Sequence, residues 1–225
     1  MGQYRLRRYT DIPSLIYLLT ERRITLLDPQ SWDDKNDSYY LRLYREKKNL
    51  KTVLAICFTQ ASETYHHWRV FAQGSSGACI SFKRTELFKA ALKQEPDLRM
   101  RTVEYLTLAK IRHKVLATEE LPFLKRYPFQ DEEEFRVVYE STKKTISTLD
   151  IPIPLPCIYK VTLSPWLPKA LSEHLKSSLR SIPGCEKLRI RRSTLISNEE
   201  WKRLGDHAPE LREAPHQNPS RTPRK

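Results

Sequence analysis

The stretch Val53-Leu54-Ala55-Ile56-Cys57-Phe58 limits the folds open to this chain more than any other. Six apolar residues in a row, closed by Thr52 and Thr59, cannot form one face of an amphipathic element. Such a run reads as a strand covered on both sides, which requires a sheet with packing on each face. Shorter strands are predicted around it at residues 4–9, 24–27, 78–82, 103–106, 134–139, 158–163 and 187–195. Helices are predicted at residues 11–19, where Asp11 caps and Pro13 follows, and at 39–50, 65–72, 85–94, 108–117 and 168–179. These elements interleave without βαβ regularity. The expectation is therefore an α+β fold, a single mixed-sheet domain with flanking helices over residues 1–204. Residues 151–156, an apolar run alternating with proline, read as a packed connector. From 205 to 225, Pro209, Pro215, Pro219 and Pro223 punctuate a polar stretch with little to bury, so a disordered tail is predicted.

Charge and cysteine usage narrow the partners. Lys plus Arg is 40 against 27 for Asp plus Glu, a formal charge of +13. That excess favours an anionic partner: nucleic acid, a nucleotide or an acidic protein. No apolar run approaches the ~18 residues that cross a bilayer, so no membrane partner is expected. The basic start is not followed by a signal-peptide core, and Leu6 stands where a myristoylation pattern has Ser or Thr. Cys57, Cys79, Cys157 and Cys185 are scattered, with no C-x-x-C pair. Cys57 and Cys79, inside apolar runs, read as buried small hydrophobes, and the set as a whole fits a cytoplasmic protein. No metal site is predicted. His66 and His67, adjacent on a helix, point about 100° apart, and the Asp-rich residues 33–37 lack the glycine of a calcium loop.

Four groups could carry chemistry. In Glu132-Glu133-Glu134-Phe135-Arg136, strand alternation places Glu132, Glu134 and Arg136 on one face and Phe135, Val137 and Tyr139 on the core face. In a cleft, Glu134 could polarise a ribose hydroxyl or act as a base, with Arg136 orienting it; the plainer reading is a solvated strand face. The loop Ser31-Trp32-Asp33-Asp34-Lys35-Asn36-Asp37 offers an aromatic ring to stack a base and polar groups for its sugar, or else a simple chain reversal. In the segment around His66-His67-Trp68-Arg69, Trp68 and Phe71 read as core and Arg69 as an anion contact. The glycines after it, Gly74 and Gly77, form a turn and no phosphate loop. Finally, alternation puts Lys187, Arg189 and Arg191 on one strand face, a possible phosphate track for nucleic acid or an ordinary basic surface.

Several of these pieces recur together, in order. They are an N-terminal Tyr4-Arg5 strand, Thr25-Leu26-Leu27-Asp28-Pro29-Gln30-Ser31-Trp32 leading to Asn36-Asp37, Cys57-Phe58-Thr59, Trp68-Arg69-Val70-Phe71-Ala72, Gly77 to Phe82, Glu132 to Arg136, and Leu163-Ser164-Pro165. In this order they resemble the bacterial domain-of-unknown-function family numbered 2971, over residues 4–200. Asp33-Asp34-Lys35 departs from that family's tighter turn. More loosely, a basic first strand, a following helix and a late Glu-x-Glu strand resemble ADP-ribosyltransferases. That likeness implies NAD as cofactor, held by Arg5 or Arg7. It also implies Glu134 as the catalytic glutamate and Glu132 as its positioning partner. The middle Ser-Thr-Ser element of one branch of that group is missing.

The leading expectation is thus an NAD-dependent ADP-ribosyltransferase-like enzyme, an effector or toxin of bacterial conflict or antiphage defence. Its cleft would be lined by Arg5, Arg7, Trp32, Asn36, Arg69, Arg136, Glu132 and Glu134, and another defence-system protein would be a candidate partner. Two alternatives stand beside it: a nucleic-acid-binding or nuclease module using Lys187, Arg189 and Arg191, and a non-catalytic interaction subunit.

Overall fold

A computed structural model describes residues 5–72 and 74–207. The chain begins with β1 (Arg5–Asp11), α1 (Ile12–Glu21), β2 (Arg23–Leu27), α2 (Lys35–Lys47), β3 (Thr52–Thr59), α3 (Tyr65–Phe71), β4 (Gly77–Lys83) and α4 (Arg84–Gln94). It continues through β5 (Arg99–Thr102), β6 (Glu104–Leu106), α5 (Leu108–Arg112), β7 (Leu124–Arg126), β8 (Glu134–Ser141) and β9 (Thr148–Pro152). The last elements are β10 (Ile158–Leu163), α6 (Lys169–Arg180), β11 (Ile190–Arg192) and α7 (Glu199–Asp206). Nine strands form one mixed sheet in the order β11-β10-β4-β1-β3-β2-β9, with β8 on β3 and β5 on β8. The only parallel pair within that sheet, among the described residues, is β10 with β11. This is the α+β, mixed-sheet architecture with flanking helices that the interleaved pattern predicts.

The predicted central strand is central. β3 pairs antiparallel with β8 along its full length, from Thr52 opposite Ser141 to Thr59 opposite Glu134. One face of the sheet carries Leu6, Leu54, Ile56, Phe58, Ile80, Phe82, Phe135 and Val137. These pack under α1 through Leu15, Leu18 and Leu19 and under α4 through Leu87 and Ala91. The other face is covered in two patches. Leu41 and Tyr44 of α2 close over Val53, Ala55 and Val138, and Trp68 of α3 closes over Tyr9 and Cys79. Between these two covers the sheet face is left open.

The sheet is also interrupted there. β1 meets β3 through a single bridge, Arg7 opposite Thr59, and β2 meets β3 through another, Leu27 opposite Ala55. Backbone carbonyls that a full ladder would satisfy take side-chain donors instead: Arg8 Nη1 donates to the Cys57 carbonyl at 3.1 Å, and Arg7 Nη1 to those of Gln60 and Ala61.

Several boundaries differ from expectation. α2 begins at Lys35, four residues early, because Asp34 caps it by accepting from the Asn36 and Asp37 amides. The basic strand predicted at 187–195 shrinks to β11, with Lys187 and Arg189 in the loop before it. β5 and β9 lie outside the predicted strands. The C-terminal helix α7 runs through Gly205 to Asp206, across the expected domain boundary, and the rest of the predicted tail, 208–225, lies outside the described residues. Among the described residues no helix is long and apolar enough to cross a membrane.

Candidate active site

A cavity of about 440 Å³ occupies the gap between α2 and α3, over the interrupted seam. Its floor is set by strand register. Arg7, Thr59 and Glu134 stand opposite one another across β1, β3 and β8, so their side chains share one sheet face. Two strand spacings, about 10 Å, separate the arginine from the glutamate. Trp32, Phe71 and Phe129 supply aromatic walls. Arg8, Leu27 and Ile56 also line a second cavity of about 380 Å³ that reaches Thr10, Ser14 and Tyr17 at the start of α1. The two hollows share that wall.

The acidic end is highly organised. Glu134 and Arg136 face the same side of β8, as alternation predicts, but Arg136 is fully buried beneath α2. Its guanidinium donates to Glu134 through Nε (2.7 Å) and Nη2 (3.0 Å) and to Asp37 through Nη1 (2.8 Å) and Nη2 (2.6 Å). Nη1 also donates to the Pro122 carbonyl at 2.8 Å, which occupies every N–H of the group. Lys125 of β7 sits on the cavity side, 2.6 Å from Glu132, 3.3 Å from Glu134 and 3.7 Å from Asp37. Three carboxylates thus surround two cations.

Ionisation follows from that geometry. Burial opposes the charge on Glu134, but Arg136 and Lys125 outweigh it and hold the carboxyl at about 2. Glu132 goes the other way. Its burial is only partly offset by Lys125, so its carboxyl lies above the usual range. Asp37 is pushed up by burial as well, against the pull of Arg136. The site therefore holds one carboxylate fixed as an anion beside two, Glu132 and Asp37, that burial makes easier to protonate than an ordinary carboxyl.

The opposite end is cationic and unsatisfied. Arg7 and Arg8 bond only to backbone carbonyls, and neither has a carboxylate within ion-pair distance among the described residues. Burial without such a partner pulls Arg8 below the ordinary arginine value. Tyr9 stacks on His67 with ring centroids 5.4 Å apart. Tyr9, His67 and Asp34 line the cavity, while the Tyr9 hydroxyl, His67 Nε2 and Asp34 Oδ2 themselves are buried away from it.

The structure brings together Arg7, Trp32, Glu132 and Glu134 and separates the other candidates from them. Arg5 stacks on Tyr159, 3.5 Å from the ring centroid, toward the β10 edge. Asn36 is exposed and donates to Asp34 at the helix cap. Arg69 turns outward over Trp166, at 4.3 Å, and bonds the Tyr65 hydroxyl. Arg136 is sealed behind Glu134 and does not line this cavity, because α2 covers its strand face. Glu132 lies in a 3-10 turn ahead of β8 rather than on it. Phe71, read as core, is 41% exposed and lines the cavity, as does Cys57. All four cysteines are free thiols. Sequence reading missed Arg8, Asp37 and Lys125 as site residues. Only Asp37 carried a signal, as the last acid of the Trp32 loop.

Lys187, Arg189 and Arg191 are exposed on the far edge. Arg189 bonds the Tyr159 hydroxyl at 3.3 Å, and Arg191 lies 3.5 Å from Glu63.

No protein-family model and no curated protein sequence matches the chain, so the likeness to the family numbered 2971 rests on its motifs alone. Among solved structures, the chain is similar to Thermus sp. 2.9 DarT in complex with NAD+, at 13% identity and a TM-score of 0.46, over 86% of this chain and 96% of that one. It is similar to the same protein with ADP-ribosylated ssDNA (12%, TM-score 0.45, 86% and 95%) and with carba-NAD+ (12%, 0.45, 86% and 97%).

Proposed function

We propose that the chain binds NAD across the interrupted seam and transfers its ADP-ribosyl group to an acceptor, releasing nicotinamide. The observation that carries this reading is the polarity of the hollow. Arginines without carboxylate partners stand at one end, and a carboxylate locked in its charged form stands at the other. A dinucleotide has the matching polarity, with a diphosphate in the middle and a cationic nicotinamide riboside at one end. The diphosphate suits Arg7 and Arg8, the second cavity beside Arg8 suits the remaining nucleoside, and Trp32 or Phe71 suits the flat nicotinamide ring.

The ribosyl carbon gains positive charge as its bond to nicotinamide breaks and the bonding pair leaves with the ring. Glu134, anionic and immobilised by two cations, steadies that charge without reorganising. Its low pKa makes it a poor proton acceptor. Glu132, with its raised value, takes the acceptor's proton as the new bond forms. An effector or toxin role in bacterial conflict, which the resemblance implies, goes with this reading.

The test is direct. The purified chain should release nicotinamide from NAD, and calorimetry should show NAD binding that weakens ~10-fold or more when Arg8→Gln removes the cation. No binding and no release by the intact protein would end the proposal.

One observation favours nucleic acid as acceptor or separate ligand. Arg5, Lys83, Lys160 and Arg191 belong by register to the sheet face that holds Arg7, so a basic band runs from the cavity to the β11 edge. Reversing Lys83, Lys160 and Arg191 to glutamate should then reduce oligonucleotide affinity steeply and flatten its dependence on salt by ~2–3 in log–log slope. An unchanged slope would remove the band from consideration.

A further inference from the structure

Helix α7 is the least integrated element of the fold. None of its eight residues is buried. Trp201 and Leu204, three residues apart and so on one stripe, are 79% and 65% exposed, and Leu195 and Ile196 just before the helix are 41% and 45% exposed. Four large apolar side chains within ten residues border a groove of about 660 Å³, which also includes Glu63, Asn198 and Glu200. A monomeric surface scatters such residues singly, and a cluster of this kind marks a contact surface.

We infer that this face pairs with the same face of a second copy of the chain, the two α7 helices lying antiparallel about a two-fold axis. Charge selects the occupant. The chain as a whole carries +13, so two copies repel over most of their surfaces. α7 is an exception, with Glu199, Glu200 and Asp206 against Lys202 and Arg203. Its surplus of negative charge also disfavours nucleic acid and anionic lipid as occupants. The order of charges adds direction. Glu199 and Glu200 stand in the first turn, Lys202 and Arg203 follow in the middle, with Lys202 already 2.8 Å from Glu199 of its own helix, and Asp206 closes the helix; an antiparallel copy centred on Trp201 sets Glu199 and Glu200 against Lys202 and Arg203, and a parallel copy sets like against like. A two-fold contact requires self-complementarity of this kind. Trp201 and Leu204 of each copy then fill the other's groove beside Leu195 and Ile196. The contact is small, so the dimer is a weak, reversible one. It is independent of the proposed chemistry, because the groove and the cavity share no lining residue.

Sedimentation of the full chain between about 5 and 500 µM should show a monomer–dimer equilibrium set by mass action. Trp201→Glu with Leu204→Glu should weaken it at least tenfold while far-UV circular dichroism and melting stay unchanged. Glu199→Lys with Glu200→Lys, and separately Lys202→Glu with Arg203→Glu, should each yield monomers, and mixing the two variants should restore a dimer. A wild-type chain that is monomeric at the highest concentration overturns the inference. So does a dimer that survives the Trp201 and Leu204 substitutions, or charge variants that fail to recover on mixing.

Discussion

Glu134→Gln should lower the rate of nicotinamide release by ~10²–10³-fold, with NAD affinity changed by no more than a few fold. The substitution keeps size and one hydrogen-bond acceptor, removes the negative charge and turns one oxygen that accepts from Arg136 or Lys125 into an NH2 donor. If the role of Glu134 is to oppose charge on the ribosyl carbon, loss falls on kcat and spares KM, since ground-state contacts at Arg7, Arg8 and the aromatic walls are untouched. The pH profile offers a second check. Glu134, held at about 2, is ionised throughout the working range and contributes no limb. If Glu132 takes the proton, the rate rises with pH through a value above the ordinary 4.5 of a glutamate, and Glu132→Gln erases that limb, whereas a limb that survives belongs to Asp37, which is raised as well. Equal loss of kcat and of NAD affinity in Glu134→Gln would contradict the assignment.

Stability has its own dependence on this carboxyl. Its value in the folded protein lies below the unfolded one near 4.5. Its contribution is therefore complete above that point and disappears as pH falls toward 2. Asp37 and Glu132 are raised and act with the opposite sign, favouring the folded state in acid and opposing it as they ionise.

Arg136→Met should be the most damaging single substitution in the molecule. It leaves Glu134 and Asp37, both buried, facing an apolar side chain, with only Lys125 nearby and the Pro122 carbonyl unpaired. Breaking a buried ion pair by removing one partner costs about 3–5 kcal/mol, a large share of the ~5–15 kcal/mol that holds a typical domain. Urea denaturation should register the loss directly. Neutralising the abandoned acids in the triple variant Asp37→Asn, Glu134→Gln, Arg136→Met should recover part of it, because the penalty comes from uncompensated charge rather than lost volume. A loss under 1 kcal/mol would mean that the cluster contributes little to folding.

The parts of this structure that could be read from the chain are those written in local pattern. Val53–Phe58 announces its position by unbroken hydrophobicity, and the alternation in 134–139 correctly sorts Phe135 and Val137 from Glu134 and Arg136. What the pattern lacks is any mark of which face is covered. Arg136 looked open because α2, which buries it, was read from residue 39. The true start lies in an Asp-rich stretch that resembles a turn, and Asp34 uses its carboxylate as a cap. The Asp37–Arg136 pair spans 99 residues, so no spacing rule connects them. β5 (Arg-Met-Arg-Thr) is polar and β9 is short and ends on Pro152, so their partners define them. Arg8 is the clearest omission. Its importance comes from the absence of a carboxylate around it, and an absence of that kind exists only in three dimensions.

The two single bridges, from β1 and from β2, along the edge of β3 that β8 leaves free have a consequence for how such a molecule can change over time. The hollow exists because two ladders stop short, and its wall is made of carbonyls diverted to arginine side chains. Substitutions that zipped β1 onto β3 would add backbone pairing and raise the melting point while closing the space between them. In this architecture firmness and capacity are drawn from the same few hydrogen bonds, so selection for one erodes the other.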